Sequence, residues 1–431
     1  MIRFNEDRRR LLQALGATAA LGSTSLLSGC ATTGQGKTIG RVVVIGGGFG
    51  GATAAKYLRK WSNGTIDVVL IERQSHFISC PTSNEVLAGH RKYETLVHSY
   101  DGLRRNWGVK VIHAEVTGVD PVRHTVSTDK GEVIPYHRLV VSPGIDFNFG
   151  AVAGYDAKAR ESILHAWKAG PQTLALRQQL EDLRDGGTFV LSIPKAPYRC
   201  PPGPYERTSQ IAHYFKTHKP KSKILVLDAN DKIISKTKLF ADNWAEDYKG
   251  IIEYRPNWNA TEVDAASRTL TSEIGDKVRG DIINLIPPQT AGQIAHQAGV
   301  VNANNRWADV NWITLESTAV KDIHVLGDAT LSAPTMPKSG HMANQHGKAA
   351  AAAIFETFSG HTPQPITMAN TCYSLVDHRR AIHVDSVHRW DAEKKTVVPV
   401  PGSGGVSTAP SIEEGLYARA WAQNIWADSL G

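Results

Sequence analysis

Sulfur is scarce in this sequence of 431 residues, which has four cysteines and four methionines. No two cysteines are spaced Cys-x-x-Cys, which excludes a zinc ribbon and a thioredoxin-type redox motif. The lack of Cys-x-x-Cys-His means that this chain attaches no c-type haem of its own. No basic run is interleaved with aromatic residues, so nucleic-acid binding is set aside. The formal net charge of +7 is modest, and it suits a solvated surface or an acidic protein partner. Past Cys30, no stretch reaches the length and apolarity of a membrane helix. The rest is ordinary for a globular protein: 41% hydrophobic, 21% charged, with 38 glycines suiting a turn-rich α/β chain of two or three domains.

The clearest positive signal is the stretch from Arg41 to Glu72. An apolar run, Val42–Ile45, enters Gly46-x-Gly48-x-x-Gly51, then a helix-forming segment, and a second apolar run ends on Glu72. This is a βαβ unit with a dinucleotide fingerprint. Gly46 allows the tight turn, Gly48 lets the backbone approach a pyrophosphate, and Gly51 lets the helix pack on the strand. Glu72 stands where a carboxylate accepts hydrogen bonds from an adenosine ribose, and Arg73 beside it is a further cofactor-binding candidate. The fingerprint alone does not distinguish FAD from NAD.

Residues 1–30 read as an address. Arg8-Arg9-Arg10 precedes a short, moderately apolar stretch rich in small residues, resembling a Tat export signal for proteins that fold around a cofactor before export. Leu27-Ser28-Gly29-Cys30 resembles a lipobox, with ordinary cleavage near Ala31 as the alternative. The expected location is therefore the periplasm, with a possible lipid anchor at Cys30, and residues 31–38 form a tether. An oxidising compartment permits pairing of distant cysteines.

A second nucleotide domain is expected over 151–280, but its strand at Thr188–Ile193 is followed by SIPKAPYRCPPGPYE, without a glycine fingerprint. Five prolines there cannot form the amide-lined turn that cradles a pyrophosphate, so this domain is expected to keep the fold without binding NAD. Cys200 lies in that loop between Arg199 and Pro201, with Lys195 and Arg207 near in sequence. Positive charge favours a thiolate, whereas a structural disulfide or a buried thiol is the plainer alternative. Glu206 opens the next helix, either as a carboxylate favoured by the helix dipole or as an acid handling protons beside the cysteine.

Gly327-Asp328 closes a short strand, Asp322–Asp328, as in FAD-binding domains where the aspartate binds the ribityl chain, and it tips the choice to FAD. Lys338 precedes a long alanine-rich helix from His341; it either adds to the field at the helix N-terminus or faces solvent. Residues 39–150 and 281–360 are assigned to the FAD-binding domain, and 361–431 to a C-terminal domain carrying Cys372. The aromatic helix from Glu413 to Ala427 reads as packed core or as a partner-facing surface.

Several strings carry a family likeness: VVVIGGGFGGATAAKYL, SNEVLAGHRKYE after Cys80, HAWKAGPQT, RCPPGPYER, HKPKSK, INLIPPQ, TMPKSG and NTCYS, of which RCPPGPYE and NTCYS are unusual. On these, nearly the whole chain after residue 30 resembles the flavoprotein subunit of flavocytochrome c sulfide dehydrogenase. The resemblance implies an α/β fold of two dinucleotide-binding domains, glutathione-reductase-like, with a C-terminal α+β interface domain. It implies FAD bonded through the sulfur of Cys80, and a redox-active disulfide between Cys200 and Cys372 with Glu206 in proton transfer. It also implies oxidation of hydrogen sulfide to sulfur or polysulfide. Electrons would pass to a haem on a separate c-type cytochrome subunit, forming a heterodimer. Three other readings remain: a sulfide:quinone oxidoreductase, an NADH-dependent disulfide reductase, and an FAD-binding electron-transfer subunit that does not itself oxidise sulfide.

Overall fold

In the computed structural model, residues 38–431 are described. The expected export segment, Cys30 and nearly all of the tether lie outside them. Four apolar runs, β1 (Gly40–Ile45), β2 (Ile66–Ile71), β3 (Lys110–Ile112) and β4 (Arg138–Val141), enter a first sheet. Four more, β5 (Thr188–Ile193), β6 (Lys223–Asp228), β7 (Ile252–Arg255) and β8 (Ile282–Leu285), build a second. The chain then returns to the first sheet with β9 (Ile323–Val325), giving the order β9-β4-β1-β2-β3, all parallel. The second sheet is parallel too, in the order β7-β6-β5-β8. Parallel strands covered on both faces need unbroken apolar runs, and Val42, Val43 and Val44 are accordingly fully buried.

The strand Ile282–Leu285 pairs with β5, so it belongs to the second sheet and not to the FAD domain, where the boundary at 281 had placed it. Its sequence, IINL, carries no mark of which sheet will accept it. The segment before it also stays with the second sheet. After β7 it forms an antiparallel meander (Ala260–Asp264, Thr269–Ser272, Lys277–Arg279), packed through Val263, Leu270 and Val278 on the second sheet.

A long helix, Gly340–Phe358, lies against the fingerprint helix, Phe49–Trp61, and its Ala349, Ala350, Ala351 and Ala353 are buried. Beyond it, β10 (Met368–Leu375), β11 (Ala381–Asp391) and β12 (Thr396–Pro399) make an antiparallel sheet. A final helix, Ile412–Leu430, returns to the first domain. Trp426 is buried and donates its indole N–H to Ser79 at 2.9 Å, while Tyr57 and Asn344 bind the Asp428 carboxylate. This helix thus packs by one face, while Leu416 and Tyr417 on the other are exposed. No helix among the described residues is long and apolar enough to cross a membrane.

Candidate active site

The carboxyl ends of β1, β4 and β9 open onto one elongated cavity of about 580 Å³, as expected for ligand sites in parallel α/β sheets. At one end lies the glycine turn. Gly46 has φ +96°, and a Cβ there would meet the Ser142 carbonyl oxygen at 2.4 Å. A Cβ on Gly51 would lie 1.9 Å from the Gly46 carbonyl oxygen, so the helix can sit on the turn only without one. Gly48 faces open space, with nothing within 4 Å of its absent Cβ. Glu72 lines the same end and accepts the Gly47 amide at 2.7 Å and the Gln74 amide at 2.8 Å. Arg73 is exposed at the cavity edge, 3.9 Å from Glu115.

Midway, Gly327 and Asp328 line the wall. Asp328 is buried, and its Oδ1 has no hydrogen-bond partner. Burial raises its pKa, with Arg199 and Lys338 opposing the shift. An orphaned carboxylate oxygen facing the middle of a long cavity suits the hydroxyls of a ribityl chain. The open glycine turn at the end suits a pyrophosphate. The residues present therefore fit FAD.

Lys338 does not face solvent. Its ammonium is buried behind the wall, donating to the carbonyls of Asp328 and Thr330 and lying 3.7 Å from the centroid of the Trp307 ring. Burial pushes its pKa down to about 7. Lys338 is thus a brace for the Asp328 turn. Its own carbonyl accepts the Cys200 amide at 2.8 Å, tying the cysteine loop to the same brace.

At the far end three cysteines from three parts of the chain line the cavity, and all three are free thiols. Cys80 follows β2 and accepts the Ala169 amide at 3.4 Å. Cys200 sits in the proline-rich loop with φ +59°, a left-handed conformation that β-carbon sterics disfavour and that its hydrogen bond to Lys338 helps hold. Cys372 is on β10, within hydrogen-bonding range of the Asn370 amide at 3.4 Å. Asn370 in turn receives the Ser339 hydroxyl at 2.6 Å. The expected Cys200–Cys372 disulfide is open in this structure.

Charge around Cys200 acts against the sequence expectation. Burial pushes its thiol well up, and the neighbouring Cys372 and Glu206 add to this. Arg199 and Lys236 only partly offset the rise. Lys195 is exposed. Arg207, instead of presenting free charge, is buried, and its guanidinium donates to Asn84 Oδ1, Asn284 Oδ1 and the carbonyls of His165 and Ala166. Proximity in sequence was a poor guide because residue 207 lies on the buried side of the helix Gly203–His218.

Glu206 faces the cavity from that helix. Its Oε1 accepts the Leu375 amide and its Oε2 the Asn84 side-chain amide, each at 2.9 Å, so it links the helix that follows Cys200 to Cys372's strand. Burial raises its pKa, and these two hydrogen bonds oppose the shift.

Lys236 is a site residue that sequence reasoning missed. It stands in the left-handed region at φ +52°, buried, with its ammonium donating to the Cys372 carbonyl at 2.9 Å and to Ser374 Oγ at 2.7 Å. Nothing in KIISKTKLF separates this lysine from its exposed neighbour Lys238. Asn84 was visible only as part of a family string.

In the second domain, Asp228 ends β6, where a nucleotide-binding fold usually offers an acid to ribose. Its carboxylate is taken up by the hydroxyls of Tyr205 at 2.8 Å and Tyr254 at 2.9 Å, and by Asn230.

Two parallel-sheet domains, a cavity that fits FAD, and cysteines facing its far end define a flavoprotein of the two-dinucleotide-domain oxidoreductase class. The pyridine nucleotide-disulphide oxidoreductase family matches residues 40–178. The central region of the sulfide dehydrogenase (flavocytochrome c) flavoprotein chain matches 173–287, and its flavin-binding region matches 364–430. The corresponding chain of Chlorobaculum thiosulfatiphilum is 59% identical over 46 residues, 11% of this chain and 94% of that sequence. The protein belongs to the flavocytochrome c sulfide dehydrogenase flavoprotein family. The mitochondrial sulfide:quinone oxidoreductase of Mus musculus is 24% identical over 331 residues, 71% of this chain and 69% of that one. The solved sulfide:quinone oxidoreductase of Aquifex aeolicus has the same fold, with a TM-score of 0.76 at 20% identity over 90% of this chain and 91% of that one.

Proposed function

We propose that the protein oxidises hydrogen sulfide to sulfur or polysulfide through a Cys200–Cys372 disulfide and bound FAD, and passes the electrons to a c-type cytochrome subunit. The observation that carries this reading is that Cys200 and Cys372, from different domains, line one cavity with the FAD cradle and share the Glu206 link. The Gly46–Gly51 turn, Glu72 and Asp328 would hold the cofactor, and Cys80 would bond to it covalently. Arg73 stands at the edge of the adenosine end.

In the oxidised enzyme the two thiols are joined. Hydrosulfide attacks one sulfur, forming a new S–S bond as a persulfide, and the electron pair of the Cys–Cys bond leaves on the other as a thiolate. The attacking sulfur thereby loses two electrons. Glu206, whose raised pKa makes it a ready proton carrier, takes up or returns the proton of the incoming sulfide or the persulfide. FAD, when bound, supplies a two-electron acceptor able to release electrons singly to a haem. Export in the folded state to the periplasm, with a lipid at Cys30, completes the reading.

Cys200→Ser and Cys372→Ser variants should each lose sulfide-dependent cytochrome reduction while retaining flavin; full activity in either would overturn the mechanism. The structural likeness to a sulfide:quinone oxidoreductase supports a second acceptor. Turnover with decylquinone in place of cytochrome c would favour it, and turnover with cytochrome c alone the first.

A further inference from the structure

When the disulfide opens, one sulfur keeps the incoming sulfane and the other leaves with the electron pair. The choice between them falls to whichever thiolate is better stabilised, because a leaving thiol departs faster as its pKa falls. Several groups face Cys372. The Asn370 amide and the Ser339 hydroxyl are neutral donors, Glu206 and Cys200 are like charges when ionised, and Lys236 is the cation. Glu414 lies further out and acts on Lys236 itself. His341 bonds the neighbouring Thr371 amide at 3.0 Å and is held neutral by burial. Among the opposing influences Lys236 is the largest at Cys372, whereas at Cys200 it stands behind Arg199.

The fixation of this ammonium is unusual for a lysine. It is bonded to the Cys372 carbonyl and to Ser374 Oγ, so it is anchored to the strand that carries the sulfur. Its backbone adopts the left-handed conformation rather than let the side chain swing to solvent. A point charge anchored on the backbone of Cys372 in a low-dielectric wall acts far more strongly than one at the surface. Burial pushes its pKa down to about 8, which still leaves it protonated at neutral pH.

We propose that Lys236 is a positioning residue that makes Cys372 the leaving thiolate, so that sulfur from hydrosulfide is retained on Cys200. The inference rests on the disulfide reading above. The step balances: HS⁻ and Cys200–S–S–Cys372 give Cys200–S–SH and the Cys372 thiolate, one S–S bond formed and one broken. The negative charge moves from hydrosulfide to a site beside Lys236.

The test uses the dithiol form of the flavin-loaded protein and reads alkylation of each cysteine by iodoacetamide, peptide by peptide, across pH 6–10. Cys372 should react at lower pH than Cys200. Lys236→Met should slow Cys372 at pH 7.5 by about tenfold, the equivalent of one pH unit in its titration, and Lys236→Arg should restore most of the rate. A brief sulfide pulse followed by alkylation should place the added sulfur on the Cys200 peptide. An unchanged Cys372 profile in Lys236→Met, with flavin content and far-ultraviolet dichroism intact, would overturn the proposal; so would sulfane found on Cys372. If Lys236→Met fails to fold, Lys236→Arg decides, since a wild-type alkylation profile is then required of it. Alkylation needs no sulfide turnover, so loss of the disulfide mechanism itself would show separately in the two serine variants.

Discussion

The substitution Glu206→Gln alters one atom of the side chain and should separate its structural contribution from its charge. The carboxylate accepts twice, from the Leu375 amide and from Asn84 Nδ2. Asn84 cannot turn over to suit a glutamine, because its Oδ1 already accepts the Arg207 guanidinium at 3.1 Å. A glutamine that keeps the Leu375 bond must therefore face its own NH2 to that of Asn84, and one that turns round loses Leu375. Either way one buried hydrogen bond to a charged acceptor is lost and a donor is left unmatched, at a cost of about 1–3 kcal/mol. The charge effect runs the other way. Glu206 raises both thiols, so its neutralisation should lower the pKa of Cys200 and of Cys372. The variant should thus be less stable in urea, yet its cysteines should be alkylated faster at fixed pH. Its sulfide-driven flavin bleaching should be slower, because the proton carrier is gone. Unfolding by tryptophan fluorescence, alkylation and stopped-flow absorbance read the three quantities independently. Wild-type stability combined with wild-type alkylation would refute the bonding scheme around Glu206.

The pH dependence follows from Lys236, whose charged form is the useful one. With its pKa at about 8, the bleaching rate per hydrosulfide should hold up to that pH and then fall to a plateau about tenfold lower, while Lys236→Arg should remain flat there. Lys338→Met removes two charge-assisted hydrogen bonds from the Asp328 turn, and the loss of about 2–4 kcal/mol should appear as a lower thermal midpoint and weaker retention of flavin. Cys80→Ser should bind FAD that acid denaturation releases, whereas flavin should stay with the acid-denatured wild-type peptide that contains Cys80.

Much of the first domain was legible because its determinants are local. The strand–glycine–helix pattern at Val42–Lys60 and the acid at Glu72 sit within one βαβ unit, where spacing alone fixes their meeting. The cysteines were legible only through their unusual surroundings, RCPPGPYE and NTCYS. The strand that carries Cys372 was not legible as a strand, since its register is set by the hairpin pairing with Ala381–Asp391. The sheet that accepts Ile282–Leu285 could not be read from four apolar residues. Lys236 and Arg207 show the limit most clearly. A lysine beside a turn and an arginine on a helix look exposed, and only tertiary packing buries one against the Cys372 strand and locks the other among carbonyls.

The tyrosines around Asp228 have a consequence for what this lineage can become. The Tyr205 hydroxyl that fills the aspartate also accepts the Ile234 amide at 3.3 Å, two residues before Lys236. Re-opening that pocket to a soluble hydride donor would take away the ring that holds the loop of the active-site cation. Freeing the Asp228 carboxylate and keeping Lys236 on the Cys372 strand are therefore opposed, and a change that did the first would have to rebuild the second.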